Sequence, residues 1–216
     1  MVGSWWAGYR LTAVTEGPEA THHVDGLVGG WFDSDLTDRG LAHAGQIAQA
    51  LVDRLPPAAA VEVFSSDLLR ARRTAEVLGK RLGVGVVLDA DLREKSYGEA
   101  GGRPQAWLDE RFIPPPATGE RMRHDEGIPG AETKWELAVR AYAALDRILR
   151  STVEHQVVVT HGGTATFLLA AWIGMPVDTA GLVGIRFSPG GITHLREDDH
   201  FHNHWIAYLN DTHHLV

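Results

Sequence analysis

The sequence contains no cysteine and has fewer basic than acidic residues. Without cysteine, the chain has no disulfides, no thiolate metal ligands and no cysteine nucleophile. The 28 acidic and 20 basic residues give a formal net charge of −8, which disfavours a surface for nucleic acid or anionic membranes. No apolar run is long enough to cross a bilayer, and residues 1–10 lack the pattern of a signal peptide. We therefore expect a cytoplasmic protein that binds neither nucleic acid nor membrane.

Predicted strands alternate with predicted helices along the 216 residues, and no linker or repeat divides them. This alternation predicts an α/β three-layer sandwich with a mainly parallel sheet covered on both faces. Residues 90–130 are mostly loop with one short helix near 104–112, which is typical of a segment inserted over a site. We therefore expect a single domain over 1–216 with a cap insertion at about 90–130. The strands are predicted near 9–15, 61–64, 84–88 and 156–160, with short C-terminal strands at 182–187, 191–196 and 204–209.

The clearest predicted helix covers residues 131–151, where apolar residues repeat at intervals of three and four. This spacing indicates one buried stripe and one exposed face. The residues expected to face the core are Trp135, Ala138, Val139, Tyr142, Leu145, Ile148 and Leu149, and those expected to face solvent are Glu136, Arg140, Arg147 and Arg150.

The first predicted strand ends abruptly at polar residues, in the run Leu11-Thr12-Ala13-Val14-Thr15-Glu16-Gly17-Pro18. Ligands of open α/β sheets bind beyond the carboxyl ends of the strands, so residues 15–17 are candidates for the mouth of a site. Two more polar clusters follow apolar runs in the same way, at residues 65–67 and 161–163.

Four segments together resemble a known family. Residues 65–76, Ser-Ser-Asp-Leu-Leu-Arg-Ala-Arg-Arg-Thr-Ala-Glu, resemble the second-arginine motif of the histidine phosphatase superfamily, in its phosphoglycerate mutase-like branch. The loop at 30–37 resembles the segment after that family's first motif, 92–98 the segment with its acid, and 159–163 its second histidine. The resemblance implies a phosphoglycerate mutase-like fold and places Arg70, Glu94 and His161 at the pocket.

The first motif departs from this family pattern. There the first strand ends Arg-His-Gly-Glu, and the histidine is the nucleophile that becomes phosphohistidine, whereas this chain has Thr15-Glu16-Gly17-Pro18. The replacement makes the pocket more negative by about one to two charges, and two unit charges ~4 Å apart interact by roughly 4 kcal/mol at an effective dielectric near 20. Phosphate transfer by the family's mechanism is therefore disfavoured by charge and by the missing nucleophile.

The remaining candidates favour acid–base chemistry. A carboxylate beside an imidazole forms a general acid–base pair, and an arginine offers a two-pronged donor to a carboxylate, sulfate or phosphate. The predicted catalytic residues are Glu16, His161 and Glu94, and the predicted substrate-binding residues are Thr15, Gly17, His22, Arg70 and Gly162. We expect Glu16, Arg70, Glu94 and His161 to converge on one cavity at the carboxyl end of the sheet.

The leading hypothesis is a diverged enzyme that acts on a small anionic metabolite, with no cofactor. The alternatives are a non-catalytic binding protein that kept the pocket, and a phosphatase or mutase with an altered nucleophile. Glu16, Glu94, His161 and His22 or His23 are suitable ligand types for a divalent ion, although we expect no metal. The sequence leaves a homo-oligomer open.

Overall fold

A six-stranded sheet forms the centre of the computed structural model, which describes residues 10–15, 19–198 and 200–215. The strand order is β3-β2-β4-β1-β5-β6. The first four of these are parallel, whereas β5 is antiparallel to both β1 and β6, so the prediction of a mainly parallel sheet is confirmed. The strands are β1 Arg10–Thr15, β2 Val61–Ser65, β3 Val86–Leu88, β4 His155–Thr160, β5 Ile192–Glu197 and β6 His204–Asp211.

Side chains cap the free backbone N–H groups at the start of two of the helices. Thr37 accepts a hydrogen bond from the Gly40 N–H at the start of α2, and Thr133 and Glu136 form a reciprocal capping box at the start of α5. The α3 helix ends at Gly83, whose φ of 72° suits glycine. The helices are α1 Thr21–Val24, α2 Asp38–Arg54, α3 Leu69–Leu82, α4 Gln105–Asp109, α5 Lys134–Leu149 and α6 Gly162–Trp172.

The valines of β4 show why the sheet is covered on both faces. Val157 and Val159 pack with α2 and α3, whereas Val158 packs with α5 and α6 on the opposite face. Each of the three is almost fully buried, and complete burial of such a side chain contributes about 1.5 kcal/mol or more. The sheet therefore lies between two helical layers.

The predicted stripe of the helix at 131–151 is wrong at two positions. Val139, expected in the core, is 45% exposed. Arg140, expected in solvent, is largely buried and forms an ion pair with Glu132. The reason is that the polypeptide at residues 91–94 lies against this side of α5 and offers backbone carbonyls to the guanidinium.

The strand predicted at 182–187 is also wrong. Residues Val177–Leu182 form a 3₁₀ helix, and the structure has no strand at 182–187. Val183, Ile185 and Phe187 pack against the core formed by α5 and α6. The alternation in the sequence therefore reflects packing of every second side chain on that core, without a neighbouring strand.

Residues 90–130 combine 3₁₀ turns, α4 and irregular backbone. A small core, formed by Val28, Ala100, Leu108 and Ile128, joins this segment to the loop before α2. A buried ion pair, Lys95 Nζ to Glu126 Oε2 at 2.5 Å, connects its two ends. That residues 90–130 act as a cap over the site remains a prediction. None of the helices in the described ranges is long and apolar enough to span a membrane.

Candidate active site

The candidate site lies where the parallel strands β1, β2 and β4 end. Thr15, the last residue of β1, pairs with Thr160 of β4, and Ser65 of β2 pairs with Val159. Thr15 is buried, and its hydroxyl donates to the Ser188 carbonyl at 3.0 Å. Glu16 and Gly17 lie outside the described residues, so their assigned roles remain predictions.

His161 follows β4 directly and precedes the first residue of α6. It is fully buried, and its Nε2 lies 2.8 Å from the Ser66 Oγ. The same Oγ accepts a hydrogen bond from the Leu68 N–H. The imidazole tautomer decides whether His161 or Ser66 donates, so the serine orients the ring in either protonation state.

Glu94 faces the start of α6 beside His161. Its Oε1 accepts from its neighbour, the Lys95 N–H, at 2.8 Å, and its Oε2 accepts from the Gly163 N–H at 3.0 Å. A β-carbon at position 163 would overlap the carboxylate, so this approach requires glycine. Two of the three predicted catalytic residues, Glu94 and His161, therefore lie at adjacent places in the fold.

Arg70 lies in the first turn of α3 and is almost completely buried. Its Nη1 donates to the Phe32 carbonyl at 3.1 Å, and its Nη2 donates to the Gly30 carbonyl at 2.9 Å. Two of its donors thus hold the backbone of the loop at 30–32. Binding of a substrate anion by Arg70 remains a prediction.

His22 is buried in α1 and supports the same loop. Its Nδ1 lies 2.6 Å from the Ser34 Oγ, and a β-carbon at Gly29 would lie 2.6 Å from its Nε2. The structure therefore places His22 against residues 29–34, close to the segment that Arg70 holds. Its assignment to substrate binding remains a prediction.

A cleft of about 440 Å³ opens beside Glu94 and Gly162. This volume is within the range of small-molecule sites. The apolar part of its wall comprises Leu137, Phe167, Val183 and Ile185, and its basic and phenolic groups are Lys95, Tyr97, Lys134 and Arg186.

Sequence reasoning assigned no role to Lys134 or Arg186, which both line this cleft. Lys134 is the first residue of α5, and Arg186 lies in the segment that the sequence predicted as a strand. No motif or spacing marked either residue, because only the packing of α5 and residues 183–187 against one cleft brings them together.

An ion pair holds the rim of the site. Arg93 binds Asp67 through two contacts of 2.6 Å each, and this arginine holds the pKa of the Asp67 carboxyl below its usual range. The Arg93 guanidinium also lies 5.0 Å from the Trp31 ring centre, and the Trp31 indole donates to the Glu94 carbonyl. Asp67 and Arg93 are 26 residues apart, so no local pattern indicated this pair.

The sequence model of the histidine phosphatase superfamily (branch 1) matches residues 18–211. This chain belongs to the histidine phosphatase superfamily. The match begins at Pro18, directly after Thr15-Glu16-Gly17. The family that the motifs indicated is therefore confirmed, and so is the phosphoglycerate mutase-like fold.

Three relatives illustrate the range of the superfamily near this chain. Glucosyl-3-phosphoglycerate phosphatase of Mycobacterium tuberculosis is 30% identical over 181 residues, covering 78% of this chain and 77% of the relative. Metal-independent phosphoserine phosphatase of Arabidopsis thaliana is 35% identical over 150 residues, covering 67% and 61%. The structure of a mycobacterial glucosyl-3-phosphoglycerate phosphatase with VO3 matches with a TM-score of 0.75 and 26% identity, covering 94% of this chain and 100% of that one.

Some candidate metal ligands lie within the described residues, and one, Glu16, lies outside them. Within the ranges that the structure describes, no three His, Asp or Glu side chains are grouped closely enough to hold a metal ion. Glu16, the centre of the hypothesis, lies outside those ranges. The expectation that this histidine phosphatase superfamily member uses no metal therefore stays a prediction.

Tyr97 in the cleft gives a pH-dependent prediction. Burial raises the pKa of its phenol to about 12, and the charges of Glu94 and Glu126 add to this effect. In the unfolded chain a tyrosine phenol loses its proton near pH 10. The stability that the protonated Tyr97 phenol contributes is therefore fully present below pH 10 and is lost as the pH rises towards 12. Between these values the wild type should lose roughly 2 to 3 kcal/mol more than Tyr97→Phe, since one pKa unit corresponds to about 1.4 kcal/mol.

Urea denaturation of both proteins at half-unit steps from pH 8 to 12 measures this difference. Tyr142→Phe is the comparison for a phenol outside the cleft. Burial also raises the pKa of Tyr142, whose hydroxyl donates to the Met175 carbonyl, so this variant should also lose less stability than the wild type at high pH. Parallel loss of stability in the wild type and in Tyr97→Phe would contradict the prediction.

Proposed function

We propose that this chain is a diverged enzyme with the histidine phosphatase fold. It acts on a small anionic metabolite by acid–base chemistry with Glu16 and His161, without a phosphohistidine intermediate. The observation that carries the proposal is the register of β1 and β4. Thr15 and Thr160 are paired on neighbouring parallel strands, and Glu16 and His161 are the next residues in the sequence. Neighbouring strands lie ~4.8 Å apart, which supports a carboxylate and an imidazole acting on the same substrate.

Each group has a defined part in the proposed chemistry. The Glu16 carboxylate removes a proton from the substrate, and His161 supplies one to the developing product, with Ser66 orienting its ring. Glu94, held by the Lys95 and Gly163 amides, forms the acidic side of the cleft. The relatives are named for phosphorylated small metabolites, which supports a substrate with a phosphate or similar anion.

A non-catalytic binding protein is the second candidate. It is favoured by the engagement of Arg70 with two backbone carbonyls and by the complete burial of His161, since both are also consistent with structural roles. A phosphatase with an altered nucleophile is the third hypothesis, and release of inorganic phosphate distinguishes it. The cytoplasmic location and the single domain over 1–216 stay predictions of the sequence.

The experiment that tests the proposal measures turnover and phosphohistidine together. The wild type should convert at least one small anionic metabolite, detected by mass spectrometry across a metabolite panel, and should form no acid-labile phosphohistidine. It should hydrolyse a generic aryl phosphate negligibly, because its first motif lacks the nucleophile and carries an extra negative charge. Robust turnover of a phosphate monoester that His161→Ala abolishes would show that the pocket retains phosphatase chemistry.

The double change Thr15→Arg, Glu16→His should restore affinity for inorganic phosphate. It replaces a carboxylate by an imidazole and adds a guanidinium, which turns repulsion into attraction, and an increase of roughly 10- to 100-fold is expected from about 1.4 kcal/mol per tenfold. Isothermal titration with phosphate measures it. The matched control, Thr152→Arg with Glu154→His, makes the same charge change on the exposed turn before β4 and should leave the affinity unchanged. Equal affinity of wild type and double variant would contradict the charge argument.

A further inference from the structure

The turn before β5 connects the end of β1 with the C-terminal residues of the chain. Residues 188–191 are Ser-Pro-Gly-Gly, and the Gly191 N–H donates to the Ser188 carbonyl at 2.8 Å. Proline at position 189, followed by Gly190 with a φ of 78°, is typical of a type II turn. The turn therefore has a defined conformation, and a contact on one side of it can fix a residue on the other side.

The end of β1 is bound to this turn. The Thr15 hydroxyl donates to the Ser188 carbonyl at 3.0 Å, and the Thr15 N–H donates to the Gly191 carbonyl at 3.4 Å. Thr15 is the last residue of β1, and Glu16 is the next residue in the sequence. The position of the turn therefore influences where the first motif begins.

Asn210, near the end of β6, holds the turn from the other side. Its Oδ1 accepts from the Ser188 N–H at 2.8 Å, and its Nδ2 donates to the Ser188 Oγ at 3.2 Å. Its backbone N–H donates to the Thr193 Oγ1 at 3.0 Å. A β-carbon at Gly191 would overlap the Asn210 Oδ1, so this approach requires glycine. Both polar atoms of the asparagine side chain thus bind the turn.

The backbone at Asn210 is also unusual for a strand residue. Its φ is 54°, a left-handed conformation that asparagine and glycine adopt more readily than other residues. A second residue near the C-terminus, His214, lies against the same turn, with its Nε2 3.0 Å from the Gly190 carbonyl. Because a carbonyl only accepts, this nitrogen is the donor. Asparagine therefore meets two demands at position 210, the backbone conformation and the contacts with the turn.

The wall of the cleft is held by separate contacts. The Ile185 carbonyl accepts from the Thr166 Oγ1 of α6 at 3.2 Å. Val183, Ile185 and Phe187 pack on the core formed by α5 and α6. Loss of the Asn210 contacts should therefore affect the end of β1 more than the cleft wall.

We propose that Asn210 is a positioning residue for the first motif. It acts through Ser188, because its side chain fixes the turn and the turn binds Thr15. This contact sets the end of β1, which Glu16 follows in the sequence. The inference rests on the proposed function for the catalytic role of Glu16.

Hydrogen exchange of backbone amides tests the link without a substrate. Asn210→Gly retains the left-handed backbone and removes both side-chain hydrogen bonds. The Thr15 amide should then exchange at least about tenfold faster than in the wild type, because local opening sets the exchange rate. The amides of Val157, Val158 and Val159 in β4 should keep their protection. NMR spectra recorded over time in deuterated water give the rate for each amide.

His202→Gly is the matched control for this substitution. His202 also has a left-handed backbone, with a φ of 55°, but its side chain is exposed between β5 and β6. This variant should leave the Thr15 amide unchanged. Asn210→Asp should restore most of the protection, because aspartate keeps an acceptor for the Ser188 N–H and tolerates the same φ.

Kinetics on the metabolite that the panel identifies test the consequence for catalysis. Asn210→Gly should lower kcat by about tenfold or more and leave KM within about twofold, because a misplaced base slows the reaction while the cleft wall still binds the substrate. Asn210→Asp should recover most of this loss. A purely structural role would reduce the folded fraction and leave kcat per folded molecule unchanged.

The wild type supplies a test that does not depend on the folding of a variant. Its Thr15 and Ser188 amides should exchange through one common opening, with the same dependence on urea concentration. Independent exchange of these two amides would overturn the inference. So would an unchanged Thr15 amide or an unchanged kcat in Asn210→Gly, or an equal effect of His202→Gly.

Failure of the proposed function has a different signature. A Thr15 amide that responds to Asn210→Gly, in a protein with no turnover of any anionic metabolite, supports the placement of the end of β1 by Asn210 and contradicts the enzyme hypothesis.

Discussion

Glu16→Gln should reduce turnover by about 10²- to 10⁴-fold and leave the melting temperature almost unchanged, since general acid–base groups contribute roughly this factor. The amide keeps the shape of the side chain and removes both its charge and its basicity. The carboxylate must be ionised to act as a base, and His161 must be near enough to exchange protons through the substrate. Initial rates of wild type and variant, measured on the metabolite that the panel identifies, give the ratio.

The same variant separates the enzyme from a binding protein. If the pocket only binds an anion, Glu16→Gln removes a repulsion, and the affinity should rise by up to about tenfold for each 1.4 kcal/mol relieved. Glu99→Gln is the control, because it makes the same chemical change at an exposed site and should alter neither quantity. If Glu16→Gln also leaves turnover and affinity unchanged, Glu16 is a turn residue and both hypotheses fail.

Arg140→Met should lower the free energy of unfolding by about 3 to 5 kcal/mol, the usual cost of breaking a buried ion pair. The guanidinium binds both carboxylate oxygens of Glu132, at 2.8 and 2.9 Å, and it also donates to the carbonyls of Asp91, Arg93 and Glu94. Methionine fills similar volume, but it leaves these carbonyls without the guanidinium and the Glu132 carboxylate with only the Ser96 N–H as a donor. Urea denaturation at pH 7 measures the loss.

Arg147→Met is the matched control on the same helix. Arg147 forms ion pairs with Asp89 and Asp91, but its side chain is 46% exposed. Exposed pairs contribute about 0 to 1 kcal/mol, so the control should remain near wild-type stability. Similar losses in the two variants would show that burial does not distinguish the pairs. The Glu132→Gln, Arg140→Met double variant should recover part of the loss, because no unpaired charge remains.

The layers of the fold were predictable because local patterns and tertiary packing agree there. The alternation of strands with helices indicated the sheet and the helices on both of its faces. The helix at 131–151 shows where this agreement ends. Its repeat of three and four identified most of the residues that pack on the core but misplaced Val139. The repeat contains no information about Arg140, whose backbone partners are at residues 91–94. Residues 182–187 illustrate the same limit. Their alternation of apolar and other residues is the same as that of a strand, although no partner strand pairs with them.

Motifs located only part of the candidate site. The segments that resemble the family contain Arg70, Glu94 and His161, and the structure places all three beside the carboxyl ends of the strands. The contacts of Arg70 with the loop at 30–32 were not predictable, because they join residues about 40 positions apart. Lys134 and Arg186 were missed for the same reason. Long-range contacts depend on the packed chain as a whole, and one sequence does not display them.

The burial of α6 has a consequence for how this site tolerates sequence change. Every residue of β4 is buried, as is almost every residue from Thr164 to Trp172, and His161 lies between these two elements. A substitution there destabilises the core. Selection therefore removes it because the protein fails to fold, whatever its effect on the chemistry of the site. Residues 23–26 and 31–33 are exposed, and their side chains tolerate far more replacements. We therefore expect new specificities to arise by substitutions in the exposed loop residues, while His161 is retained because it is buried in the core.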